Sequence, residues 1–296
     1  MKKIIALAVA SAFVAPVMAA DISVSGEVEY NYTSADGLNT FSSGTQDVTI
    51  TATEELGNGM TVTAFVRNDT GAGDTAGLAE VDSGLTIAGS FGSVEVGKDA
   101  TQAGGAFDDK SDVTSGGGGA DAEISDGVDT FGHVTLRPAT GVDGLSIALG
   151  LSAADGTAEE SFSYGAQYSV GGLTIAYGAV DTDLATDKTP SIVSGSFAAG
   201  PIYIGVDASK NIGGTDGTDS IGVGVTYSLG DLILGVERQT NKHATNIDAT
   251  DTVYDITYNV GGGLQVYVSL DSDETASSAT AKTSTDSTIV GVEYKF

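Results

Sequence analysis

Polar and apolar side chains alternate along almost the whole chain from residue 21 onward. Ile22, Val24, Val28, Tyr30 and Tyr32 alternate with Ser23, Ser25, Glu27, Glu29 and Asn31. The same period of two runs through Leu145 to Ser152, Ser161 to Val170, Ile221 to Tyr227 and Leu264 to Asp271. Successive side chains of an extended chain point to opposite faces, so the pattern predicts half-buried strands. No apolar stripe of helical period follows residue 20, and helices are not expected there.

The connections between these segments also alternate. Short ones at Gly57 to Gly59, Gly171-Gly172, Gly200-Pro201, Gly230-Asp231 and Gly261 to Gly263 have the composition of tight hairpins. Longer polar runs lie between them, at 33–44, 69–79, 155–160, 181–190, 211–218, 240–250 and 272–286. An aromatic residue stands just before each of several short turns: Tyr168, Phe197, Tyr227 and Tyr258, with Tyr294 in the same place before the chain ends at Phe296. All five lie on the apolar face of their strands. A ring of aromatics at one end of every strand is what a girdle at a membrane interface requires, whereas packing in a soluble sandwich does not demand that register.

About 16 alternating segments of roughly ten residues fit strands that cross a bilayer at a tilt. Backbone groups in lipid must all be paired within the protein, so the sheet is expected to close. The fold expected is therefore an all-β, transmembrane antiparallel barrel of about 16 strands, apolar outside and polar inside.

Charge and composition narrow the chemistry. The chain carries 40 Asp+Glu against 12 Lys+Arg, a net charge of −28, yet 41% of its residues are hydrophobic, too many for a disordered acidic tail. That acidity argues against nucleic acid as a partner. There is no Cys, which removes disulfides, thiolate metal sites and Cys nucleophiles. The two histidines, His133 and His243, form no recognisable constellation with Ser, so no enzyme is expected. Residues 1–20 read as a signal peptide: Lys2 and Lys3 precede an apolar run, and a small-residue site places cleavage after Ala19 or Ala20. Residues 21–296 are then the barrel.

The segment at 99–127 is the longest connection and carries a run of four glycines. Long connections are usually functional or disordered. Just before it, Gly84-Leu-Thr-Ile-Ala-Gly-Ser-Phe-Gly-Ser-Val-Glu-Val-Gly-Lys98 resembles the fourth and fifth strands of the general bacterial porin family, with Gly-Ser-Phe-Gly-Ser-Val as their short periplasmic turn. Thr53-Glu-Glu-Leu-Gly-Asn-Gly-Met60 resembles the turn between that family's strands two and three, and Tyr294-Lys-Phe296 its C-terminal assembly signal.

The resemblance covers the whole chain after the leader. It implies that residues 99–127 form an inward-folded third loop that narrows the channel. It also implies a homotrimer in the outer membrane of a Gram-negative bacterium, inserted by the barrel-assembly machinery through Phe296.

In that family, loop acids face basic residues across the constriction. Here the loop offers Asp108, Asp109, Asp112, Asp121 and Glu123. Lys98 occupies a basic position of the family, and Arg67 and Arg137 face inward by register, as does His133, a lumen-lining polar residue. The wall positions expected on strand two, Asp47 to Thr49, and near Gly127 hold no Arg, so a net acidic eyelet is expected. Inward acids Glu27, Glu29 and Asp47, with Asp207, Glu237, Asp255, Asp271 and Glu293, would concentrate cations in the lumen.

The function expected is passive diffusion of small hydrophilic solutes and ions, with cations preferred and no cofactor. Weak divalent-cation binding by loop acids, bridging to outer-membrane lipid and lipopolysaccharide, is compatible with the residues. A sugar-specific channel needs an aromatic track in the lumen; the chain has no Trp, and Phe65, Phe131, Tyr203 and Tyr267 are its inward aromatics. A secreted calcium-binding adhesin is a further alternative, resting on the Gly/Asp run 213–219, which occurs once where such sites need stacked repeats.

Overall fold

The computed structural model describes residues 20–69, 81–97, 107, 110–115, 133–152, 161–182, 188–212, 218–242, 248–278 and 281–296. The leader segment 1–19 and most of the 99–127 connection lie outside these residues, as do Asp108, Asp109, Asp121, Glu123 and Lys98.

Sixteen strands follow one another: β1 (Asp21–Ala35), β2 (Leu38–Glu55), β3 (Thr61–Asp69), β4 (Val81–Gly89), β5 (Gly92–Gly97), β6 (His133–Pro138), β7 (Leu145–Ser152) and β8 (Ser161–Val170). They continue with β9 (Leu173–Thr182), β10 (Ser191–Ala199), β11 (Ile202–Lys210), β12 (Asp219–Leu229), β13 (Leu232–Lys242), β14 (Ala249–Gly261), β15 (Leu264–Ser278) and β16 (Ala281–Lys295). Each pairs antiparallel with its sequence neighbours, and β1 pairs with β16 from Glu27↔Lys295 to Ala35↔Ser287, which closes the barrel. Phe296 completes the seam, exchanging backbone hydrogen bonds of 3.0 and 3.1 Å with Gly26. A closed ladder leaves no unpaired edge, the condition for crossing lipid with strands.

The short turns lie at one end, as the glycine pairs predict. Gly171 and Gly172 have φ of 56° and 86°, a left-handed geometry that glycine adopts without strain and that matches the twist of a two-residue hairpin.

Two of the expected long connections are not loops. The run 33–44 is a hairpin turning on Asp36 and Gly37 (φ 49° and 78°), and 272–286 lies largely within β15 and β16. The stretch 272–286 has no large apolar side chain, and 33–44 has only Leu38 and Phe41, so both lack the alternation by which a half-buried strand is read. Their backbone ladders extend the wall beyond the apolar band.

The two faces separate cleanly. Ile204, Val206, Ile221, Val223 and Leu234 are exposed on the outside, while the alternate positions Gly205, Asp207, Gly222, Gly224 and Glu237 face inward. Tyr168, Phe197, Tyr227, Tyr258 and Tyr294 form the outward ring near the short turns, each between 41% and 48% exposed. A second set of outward aromatics, absent from the sequence reading, lies toward the opposite end: Tyr30 stacks on Phe41, and Tyr164 contacts both Phe162 and Tyr177. Tyr254 on β14 is a further outward aromatic, separated from Tyr258 by Ile256 alone on that face. An outward apolar face with aromatics ringed near the short turns is the arrangement of a membrane-spanning barrel.

Candidate pore constriction

The described part of the third loop runs along the inner wall of the barrel, and its contacts identify which face is inside. Phe107 packs against Ala148 of β7 and Ala176 of β9, and its carbonyl accepts a 2.8 Å hydrogen bond from the Ser194 hydroxyl of β10. The Tyr203 hydroxyl of β11 donates to the Lys110 carbonyl at 3.1 Å. The Ser111 N–H donates to the Asp207 carboxylate on the same strand. Further along, the Val113 N–H and Thr114 hydroxyl donate to Glu237 of β13 at 3.1 and 3.3 Å, and Ser115 meets Thr257 of β14 at 2.9 Å. From β7 to β14 the segment thus follows half the circumference.

Glycine makes this track. Side chains at Gly205, Gly222 and Gly224 would overlap Lys110 and Ser111, and one at Gly235 would come within 3.4 Å of the Val113 carbonyl. The bare wall lets the loop backbone lie flat, and carboxylates beside it take up its N–H groups. Asp207 is fully buried and Glu237 is 3% exposed. A charged acceptor on a buried backbone donor gives the stronger class of hydrogen bond, and Oδ1, the other oxygen of Asp207, is buried with no partner among the described residues.

These two carboxylates differ from their expected part as open lumen acids. Inward parity was read correctly, but the loop covers them. Asp255 is likewise buried and accepts hydroxyl hydrogen bonds of 2.6 Å from Thr257 and Ser269. Glu29 is also buried: its carboxylate accepts the Thr45 N–H at 2.9 Å and the Tyr267 hydroxyl, in a space left by the missing side chain of Gly44. The loop anchors escaped the sequence reading, although inner-face glycines recurring on β11, β12 and β13 beside single acids were its available signal.

The facing wall holds the basic residues. Arg67 of β3 grips Asp47 of β2, with Nη2 and Nε at 3.0 and 3.1 Å from Oδ2. The other oxygen of Asp47 accepts the Glu27 N–H at 3.1 Å. Arg137 of β6 lies 2.8 Å from Glu95 of β5. Lys295, near the short-turn end, bridges Glu27 at 3.5 Å and Glu293. His133 opens β6 and is buried, whereas Asp112 on the loop is exposed. Among the described residues no group of three or more His, Asp or Glu is arranged to hold a metal ion.

An apolar exterior, a closed backbone ladder and a loop laid across a polar lumen define a transmembrane channel that crosses the membrane with strands. The chain belongs to the Gram-negative porin family, whose model matches residues 6–294. Among solved structures, one triple mutant of the Rh. blastica porin superposes with a TM-score of 0.69 and a second with 0.70. A Rhodopseudomonas blastica porin described as a triple mutant also gives 0.70. Each is 17% identical and covers 93% of this chain and 100% of its own, a likeness of fold. No curated protein matches the chain.

The protein is therefore an outer-membrane porin channel, and the secreted adhesin is set aside. Its short turns face the periplasm and its longer connections the exterior.

Proposed function

We propose that this porin is a general diffusion pore for small hydrophilic solutes and ions, with a preference for cations. The observation that carries this reading is the pairing of its lumenal bases. Arg67, Arg137 and Lys295 are each held by at least one carboxylate, so each contributes little free positive field. Acids such as Asp271 and Asp273 add to the negative side of the balance without a described basic partner. A narrow lumen with an excess of one sign raises the local concentration of the counter-ion. The exposed Asp112 places a further negative charge on the loop, and Asp108 and Asp109 belong to the same segment.

A sugar-specific track receives little support from the described aromatics. Tyr203 is engaged with the loop backbone and Tyr267 is buried against Gly291. The passage of solutes is set by size and charge in this reading. Export by the residue 1–20 leader, insertion through Phe296 and assembly as a homotrimer complete the proposal.

Reversal potential across a planar bilayer in a tenfold KCl gradient tests it. A potential of cation sign, with ohmic openings grouped in threes, is the expected result. Anion preference would overturn the charge argument, and saturating flux for one sugar in liposome swelling would overturn general diffusion.

A further inference from the structure

On the extracellular side of the loop, the inner wall carries three acids that no base attends. Asp251 of β14 and Asp271 and Asp273 of β15 share the lumenal face of their strands. Asp251 is the register partner of Asp273, and Asp271 that of Val253, the next lumenal residue of β14. None of the three has a basic partner among the described residues. Glu237 of β13, which holds the loop at Val113, adds a further negative charge close to Asp251.

The Asp251 and Asp271 carboxyl groups are in hydrogen-bonding contact. Oδ1 of each is buried and has no donor. Two carboxylates keep such a contact only with positive charge between them, because like charges this close repel. A third oxygen without a donor lies beside the pair. Gln239, the register partner of Asp251 on β13, is 2% exposed. Its amide nitrogen donates to the Ser220 hydroxyl of β12 at 2.7 Å, which leaves Oε1 on the β14 side, buried and without a partner. Buried acceptors that lack donors are costly, and three of them on adjacent strands mark a place for a group that brings donors.

The chemistry of that group follows from the acceptors. A hard metal ion draws about six to eight oxygens to roughly 2.0–2.6 Å, and among the described residues no three acids converge in that way. A primary ammonium asks less, since it brings three N–H donors, each reaching about 2.8 Å, and a single positive charge. The wall itself does not supply one: Arg238, next to Gln239 in sequence, has outward parity.

We propose that Asp251, Asp271 and Gln239 form a binding site in the outer vestibule for the primary ammonium group of a small solute. The ammonium enters between the two carboxyl groups in place of the proton they otherwise share, which passes to water, and Asp273 adds charge at the rim. The site rests on the diffusion-pore reading and adds to it a selection that charge alone does not make, between cations with N–H donors and cations without them.

Two isomeric probes separate donors from charge. Butylammonium and tetramethylammonium have the same atoms and the same charge, but only the first has N–H groups. Single-channel recordings of the full-length protein at about pH 8, where butylammonium keeps its proton, give the block by each. Butylammonium is expected to block about tenfold more tightly, the worth of one hydrogen bond to a charged group. Asp271→Asn should bring the two isomers to within about twofold of each other, and Gln239→Met, which removes the oxygen without altering charge, should narrow their ratio about threefold. Asp286→Asn removes the same charge from the exposed outer face and should leave the ratio unchanged.

Equal block of the unaltered protein by the two isomers would overturn the site while leaving the general pore intact. A ratio unmoved by both Asp271→Asn and Gln239→Met would overturn it as well, since the selection would then arise elsewhere in the lumen. The reversal potential in KCl involves no N–H donor and tests the charge balance separately.

Discussion

The backbone carbonyl of Lys110 occupies the space that a side chain on Gly205 would need. The loop therefore touches the wall with its main chain at that point. Gly205→Val must lift it by roughly 2 Å to restore an ordinary contact of about 3.5 Å. Displacement is toward the lumen, so single-channel conductance is expected to fall while the barrel still resists unheated detergent on gels. Gly195→Ala is the control, because its nearest neighbour, the Thr174 carbonyl, lies at 3.6 Å.

Asp207 and Glu237 tether the same segment by accepting the N–H groups of Ser111 and Val113. Replacing either with Ala leaves a backbone donor unpaired, at a cost of about 1–3 kcal/mol. The double replacement is expected to increase open-channel current noise and leave the melting of the barrel nearly unchanged. Noise equal to that of the parent protein would show that the remaining loop contacts suffice.

Arg67 and Asp47 balance each other on the opposite wall. Asp47→Asn preserves the oxygen that accepts the Glu27 N–H but releases the guanidinium's charge. The cation-to-anion permeability ratio should drop about twofold, which corresponds to some 0.4 kcal/mol and suits a partly exposed pair. Arg67→Gln should shift the ratio the other way. Reversal potentials of the two variants on the same side of the parent value would contradict this pairing.

Tyr267 closes the barrel seam from inside. It is 1% exposed, its ring lies over Gly291 of β16, and its hydroxyl reaches Glu29 on β1. Tyr267→Phe removes a donor from a buried carboxylate and is expected to destabilise the barrel by about 1–3 kcal/mol. Gly291→Ala should be more severe, since the new side chain would enter the ring. The temperature of heat modification on gels measures both.

The outer face obeys a different rule. Val268 sits midway along the outward apolar column of β15, between Val266 and Leu270. A lysine there should cost about 2–4 kcal/mol, against about 0–1 for Thr250→Lys near the rim. Urea titrations of folding into vesicles would compare the two, and equal costs would place the bilayer elsewhere on the wall.

Much of this architecture was legible in the chain because period two survives wherever one face meets lipid and the other water. Ile221 to Tyr227, with its alternating glycines, shows the strand at once. The ring near the short turns was legible because Tyr168, Phe197, Tyr227 and Tyr258 keep a fixed distance from glycine. The other outward aromatics were not, since Tyr30, Tyr164 and Tyr254 stand at unequal distances from their loops.

The outer ends of the β1–β2 and β15–β16 hairpins, 33–44 and 272–286, read as loops because few apolar side chains mark an alternation there. At the constriction, parity gave the direction of Asp207 and Glu237 but not what covers them. Ser111 and Asp207 are 96 residues apart in sequence, and no local pattern records their meeting.

The glycine track also separates two tasks that a pore must perform. Much of the wall's hold on the loop runs through main-chain groups, the Phe107 and Lys110 carbonyls and the Ser111 and Val113 N–H groups, which remain whatever side chain a loop position carries. Substitutions there can alter the sieve while the mooring stays put. A pore moored in this way can change its sieve through loop side chains while these main-chain ties persist.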